Sequence, residues 1–209
     1  SLVVWGDQYT NLPNDYQKNY LNKNIIDLKR ANRGFAALRN DGSVVVWGED
    51  GLVGNPTDDL LNGKYKIQKL FTNQKDISAI DENGTIISWG TSFNGSNLSY
   101  ALKSDTDHYY TTDGKSIDSN ENKNVINIKP FKSYYYNSYR EGSIAFKSDG
   151  SAFVYGNITI TSDIVSELKS DVKDIIYNGG GFTLLKEDGS LIHWKNSGYG
   201  NITTRTTWK

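Results

Sequence analysis

Phe35 to Gly48 reads FAALRNDGSVVVWG, two apolar runs separated by a polar Asn-Asp-Gly-Ser segment. Asp-Gly accommodates the positive φ of a type I′ hairpin, so the stretch is predicted to form two antiparallel strands joined by a tight turn. With Asp41 and Gly42 as a two-residue turn, pairing outward sets Leu38 against Val45 and Ala36 against Trp47. A small residue opposite the indole leaves space for a large ring.

The same pattern recurs along the chain. Ile77 to Gly90 reads ISAIDENGTIISWG, Ser143 to Gly156 reads SIAFKSDGSAFVYG and Phe182 to Lys195 reads FTLLKEDGSLIHWK, while Ser1 to Gly6, SLVVWG, is the second half of a fifth copy. The aromatic marker falls at Trp5, Trp47, Trp89, Tyr155 and Trp194, which by subtraction gives spacings of 42, 42, 66 and 39 residues. The two-residue register sets Ser78 against Trp89 and Thr183 against Trp194; the third copy departs, with Ile144 opposite Tyr155. A further strand precedes each hairpin, marked by Ile25 and Leu28, Ile67 and Leu70, Val125 and Ile128, and Val172 and Ile175. The repeat is therefore at least a three-stranded antiparallel meander. A single meander cannot bury its faces, and copies stacked about an axis make a β-propeller whereas translated copies make a solenoid. Trp47, Trp89 and Trp194 are expected to be buried between sheets. Helix is expected below about 10%, against the ~30% average of globular domains, because the best helical stretch, Asp163 to Leu168, is only a turn or two.

The stretches AALRNDGSVVVWGEDGLVGN and DIIYNGGGFTLLKEDGSLIHW resemble repeats of the regulator of chromosome condensation family. The resemblance covers nearly all of the chain. It implies an all-β, β-propeller-type array of antiparallel meander blades, here four complete repeats plus one partial, where the family usually has seven. Residues 1–209 are read as a single repeat domain cut from a larger polypeptide. The family's longer motif after WG survives only as EDGLVGNP, and such divergent repeats resemble those of large secreted or surface bacterial proteins.

Composition narrows the function classes. The chain has 209 residues, with 23 Lys and Arg against 24 Asp and Glu for a formal net charge of -1, so no chain-wide field steers it to phosphate or an anionic membrane. Neither nucleic-acid coating nor membrane insertion is expected, the latter because no apolar run approaches the ~18 residues of a membrane helix. With no cysteine there are no disulfides, thiolate nucleophiles or Cys-type zinc sites. Methionine is also absent.

Insertions into a repeat array are where function is usually added. The third repeat exceeds the 42-residue norm by 24 residues. Measured against the second repeat, 16 of these precede Val125, within Thr91 to Asn124, and 8 lie between Ile128 and Ile144, within Lys129 to Gly142. The first insertion carries His108, Tyr109 and Tyr110 beside Asp105 and Asp107; the second carries Tyr134, Tyr135, Tyr136, Tyr139 and Arg140. In an up-and-down meander both insertions open at the edge opposite the Asp-Gly turns. These eight aromatic and basic residues are the candidate ligand-binding site, since tyrosine offers a flat apolar body with a hydroxyl at its tip. The same YYYNSY stretch reads equally as strand extending the blade with alternate tyrosines buried, or as plain mobile surface.

No catalytic constellation is legible, and the protein is expected not to be an enzyme and to need no cofactor or metal. No GxGxxG, Walker-type or GxSxG motif occurs, and no two carboxylates stand at a defined separation. His193 lies in a predicted strand, and His108 lacks the spaced partners of a zinc site. Asp118 to Asn122 reads as a solvated turn, lacking the glycine and distal glutamate of a calcium loop. The expectation is a non-enzymatic binding module of a large extracellular or cell-surface protein, an adhesin or toxin, that recognises a protein or glycan. The family resemblance implies the alternative of a guanine-nucleotide-exchange or other intracellular protein-interaction propeller; a structural spacer is the third reading.

Overall fold

The computed structural model describes residues 13, 15–22, 24–31, 34–48, 58–72, 76–90, 123–135, 138–156, 162–178, 181–196 and 202–208. The chain divides into two compact units, Ser1–Ala101 with Thr111–Lys123, and Leu102–Tyr110 with Asn124–Lys209. The first unit contains α1 (Asp15–Leu21), β1 (Ile25–Ala31), β2 (Gly34–Arg39), β3 (Val44–Gly48), α2 (Asp58–Leu61), β4 (Ile67–Thr72), β5 (Asp76–Asp81) and β6 (Ile86–Gly90). The second contains β7 (Val125–Tyr135), β8 (Ser138–Lys147), β9 (Ala152–Gly156), α3 (Ser162–Glu167), β10 (Val172–Tyr177), β11 (Gly181–Lys186), β12 (Leu191–Asn196) and β13 (Ile202–Trp208). The sheets run β1-β2-β3, β4-β5-β6, β7-β8-β9 and β10-β11-β12-β13, every pairing antiparallel. Four meander blades of the expected all-β, propeller type result, and the last gains a fourth strand.

The hairpin turn differs from the two-residue expectation. Arg39 N donates to Ser43 O at 2.9 Å and Gly42 N to Arg39 O at 3.0 Å, which makes a three-residue loop, 40–42, ending in a glycine at φ 82°. The other three hairpins repeat it, with Gly84, Gly150 and Gly189 at φ 74°, 79° and 84°. This is the type I turn closed by a left-handed residue that forms a G1 bulge. The additional loop residue slips the register by one, so Ala36 faces Val46 and Trp47 faces Phe35. Likewise Trp89 faces Ile77, Trp194 faces Phe182, and Tyr155 faces Ser143. The expected small residue opposite each indole is thus corrected: only the tyrosine has one. Phe35 and Trp47 instead stack at 5.4 Å with an 18° interplanar angle.

Strand alternation sorts the core. In the first unit Ala36, Leu38, Val44 and Val46 share a cluster with Ile67, Leu70, Ile77 and Ala79 of the next blade. Ala37, Val45 and Trp47, on the opposite face, pack with Leu21 of α1 and Leu61 of α2. Trp47 is buried as expected, but beneath a helix rather than between two sheets. In the second unit Trp194 does lie in the inter-sheet core, with Ile144, Phe146 and Val154 of the preceding blade. The side chain of Trp89 lies outside the described residues.

The helices are short, of seven, four and six residues, and α1 and α2 were not legible in the sequence. Elements this short owe their stability to tertiary packing, here of Leu21, Leu60, and Ile164 with Leu168, onto the sheets. Lys186 caps the end of α3, donating to Glu167 O at 2.6 Å and Ser170 O at 2.7 Å.

The Asp-Gly-Ser signature has a local role besides the turn. Asp149 accepts from Ser151 Oγ at 2.5 Å and Ser151 N at 2.9 Å, and Asp41 accepts in the same way from Ser43. The Ser151 hydroxyl and amide, with Lys147 adding its charge, hold the Asp149 carboxyl below its ordinary range against the opposing effect of burial. A carboxylate whose pKa is depressed on folding contributes stability above its unfolded pKa, and loses it as pH falls through the folded value. Asp149→Asn is therefore expected to be less stable than the parent at neutral pH, with the difference closing in acid. Urea unfolding at the two pH values measures this, and a difference that persists unchanged in acid contradicts the assignment.

Candidate functional site

The second insertion is a hairpin arm. In the first blade Ala31 pairs with Gly34, leaving only 32–33 between them, whereas at the equivalent place in the third blade Phe131 pairs with Gly142 and 132–141 intervene. These eight additional residues continue the ladder: Lys132 pairs with Glu141, Ser133 with Arg140, Tyr134 with Tyr139 and Tyr135 with Ser138. β9 pairs only with Gly142 to Phe146, so the arm is a two-stranded ribbon rising beyond the three-stranded blade. Of the expected site residues, Tyr134, Tyr135, Tyr139 and Arg140 are brought into one ladder on β7 and β8. Tyr134, Tyr135, Ser138 and Tyr139 are thus strand extending the blade, one of the readings of YYYNSY. His108, Tyr109, Tyr110 and Tyr136 lie outside the described residues.

At the foot of the arm lies a cleft of about 540 Å³ that was not legible in the sequence, lined by Lys129, Phe131 and Lys132 of β7 and by Ile175, Ile176 and Tyr177 of β10. Two of its lining rings, Phe131 and Tyr177, lie 5.2 Å apart, and both contact the buried Phe182, at 5.1 Å edge-on and 4.7 Å respectively. Lys129 pairs with Asp174 across the seam and lies 5.6 Å over the Phe146 ring. Ile176 is 62% exposed beside the cleft. The surface combines aromatic and aliphatic area with two lysines, one of them paired with Asp174.

The available signal was one departure from the repeat. Phe131 stands where the first blade has Ala31, and its ring lies over Gly142, whose added Cβ would sit 2.6 Å from Phe131 Cζ and 2.8 Å from Tyr155 O. Gly142→Ala is expected to cost about 1–3 kcal/mol, the range for overpacking a filled site, and to push the Phe131 ring toward the cleft. An unchanged urea midpoint would contradict this packing.

Two polar pairs elsewhere are absorbed by strand pairing. Thr183 Oγ1 and His193 Nδ1 lie 3.0 Å apart on neighbouring strands, and Ser78 Oγ and Ser88 Oγ pair at 2.8 Å at the equivalent register. His193 is a strand residue, as expected. Among the described residues no cluster of three or more His, Asp or Glu is placed to hold a metal, and no helix is long and apolar enough to cross a membrane.

No family model and no curated protein matches the sequence. Among solved structures, Prp20p of Saccharomyces cerevisiae, described together with its binding to Gsp1p and histones, is similar at 17% identity and a TM-score of 0.50 over 82% of this chain and 44% of that one. Human WBSCR16 is similar at 15% identity and a TM-score of 0.45 over 84% and 48%, and the computationally designed protein Ika8 at 14% and 0.43 over 87% and 48%. The chain thus spans less than half the length of each of these structures. What the likeness to Prp20p carries is the fold, meander blades of the β-propeller kind found in the regulator of chromosome condensation family.

Proposed function

We propose that the protein is a non-enzymatic interaction module that takes a protein partner in the cleft between β7 and β10 and along the arm above it. One observation carries the reading: β7 runs unbroken from Lys129 and Phe131 in the cleft to Tyr134 and Tyr135 in the arm. The cleft and the backbone of the arm are thereby continuous along one strand. Aromatic rings supply large contact area at low entropic cost. The binding of Gsp1p and histones by Prp20p, a protein of the same fold, adds support for a protein partner. The setting we propose, a large secreted or cell-surface protein, rests on the divergence of the repeats after their WG motif.

Parallel protein and glycan arrays probed with the intact chain test the reading. Binding to a protein, weakened at least tenfold by Lys132→Glu and by Tyr177→Ala, supports it. Binding confined to glycans, or protein binding indifferent to both cleft substitutions and to Tyr135→Ala, overturns it.

A further inference from the structure

Asn-Gly occurs at 62–63, 83–84, 94–95 and 178–179. In such a pair the backbone nitrogen after the asparagine can approach its side-chain amide carbon, because glycine has no Cβ to obstruct it. The first two pairs lie wholly within the described residues, in opposite surroundings. Gly63, just after α2, is buried at φ 67°, and its N–H donates to Leu60 O at 3.2 Å. A Cβ added there would lie 3.3 Å from Asp41 O and 3.4 Å from Ser43 N of the first blade. Backbone enclosed in this way is held in place.

Asn83 stands instead at the tip of the β5–β6 hairpin, exposed, with Gly84 half-buried beside it. At the same position the three sister turns have an aspartate whose carboxylate locks the loop. Asp41, Asp149 and Asp188 each accept from the backbone N–H of the serine two residues on, at 3.0, 2.9 and 2.9 Å. The second turn is locked from a different residue: Asp81 Oδ1 accepts from Thr85 N at 2.7 Å and from Asn83 N at 2.9 Å. The amide that would engage a side chain at position 83 is therefore already taken, and it does not hold the Asn83 amide away from Gly84 N.

We propose that Asn83 is a site of spontaneous deamidation, converting ahead of Asn62 at a rate governed by opening of the β5–β6 turn. Gly84 N attacks Asn83 Cγ. The N–Cγ bond forms, the Cγ–Nδ2 bond breaks, and Nδ2 leaves as ammonia with the Gly84 amide proton. Water then opens the cyclic imide. Addition at Cγ restores the ordinary peptide bond and leaves aspartate, whereas addition at the Asn83 carbonyl carbon leaves the chain linked through Cγ as isoaspartate. One water is consumed and one ammonia released, with no oxidant or reductant. In the closed turn Gly84 N donates to Asp81 O at 3.1 Å, so attack requires local opening, which the Asp81 carboxylate opposes by gripping Asn83 N and Thr85 N. Aspartate reproduces the residue of the sister turns. Isoaspartate lengthens the backbone inside a three-residue loop that Gly84 closes at φ 74°, and so disturbs the G1 bulge.

Ageing the intact chain in mildly alkaline buffer and mapping its peptides by fragment-ion mass spectrometry tests this. In the folded chain Asn83 is expected to convert to aspartate and isoaspartate roughly tenfold faster than Asn62, since only the exposed turn opens readily. Asp81→Ala leaves the Asn83-Gly84 dipeptide intact but severs both grips, and should raise the conversion at 83 several-fold in a chain that retains parental circular dichroism. Unfolding the parent in urea makes the comparison without a substitution: both sites should then convert at similar rates, because the dipeptides are the same. Asn62 converting as fast as Asn83 in the folded chain, a preference for Asn83 that survives in urea, or a rate at 83 unmoved by Asp81→Ala overturns the proposal.

Discussion

Trp47→Ala is expected to lower the stability of the first unit by about 3–5 kcal/mol, the range for deleting a large core aromatic. Trp47 is 4% exposed, stacks on Phe35, and is enclosed by Leu21, Ala37, Val45 and Leu61. Its cavity has few ways to collapse, because β3 is held by β2 on one side while α1 is tied down by Gln17 Nε2 donating to Val46 O at 2.8 Å. Urea unfolding followed by circular dichroism measures the loss. Because the chain divides into two compact units, the shift should appear in the transition of the first. An unchanged midpoint would mean that the indole is not the packing element described.

Gly42→Ala is expected to cost about 2–5 kcal/mol, combining ~1–2 for a side chain in the left-handed region with ~1–3 for overpacking. The added methyl would lie 2.7 Å from Lys66 Cα and 2.9 Å from Lys66 C, both backbone atoms of the next blade. Relief therefore requires moving the contact between the two blades. The equivalent turns separate the two contributions. Gly150→Ala meets only an ordinary contact at 3.6 Å and Gly189→Ala meets nothing, yet their φ values of 79° and 84° match the 82° of Gly42. Both should lose only the backbone contribution, about 1–2 kcal/mol. Equal losses at Gly42 and Gly189 under urea unfolding would show that the glycines are needed for conformation alone.

The sequence by itself determined the repeat, the three strands of each blade, the burial of Trp47 and Trp194, and the place of the eight-residue insertion. These are legible because turn chemistry and hydrophobic alternation are local, and because each repeat serves as a ruler for the others. Only the tertiary structure decided the hairpin register. Asn-Asp-Gly suits a two-residue type I′ turn and a three-residue loop with a G1 bulge alike, and the bond from Ile67 N to Gly42 O that accompanies the second comes from another blade. The short helices α1 and α2 likewise exist through the sheet faces they cover. The arm was ambiguous because YYYNSY suits strand and loop equally, and pairing with its own continuation resolves it. The cleft was hidden for a different reason. Lys129 and Asp174 stand 45 residues apart, and Phe131 and Tyr177 belong to different blades, so their meeting follows from how two meanders pack, a relation that no local pattern encodes.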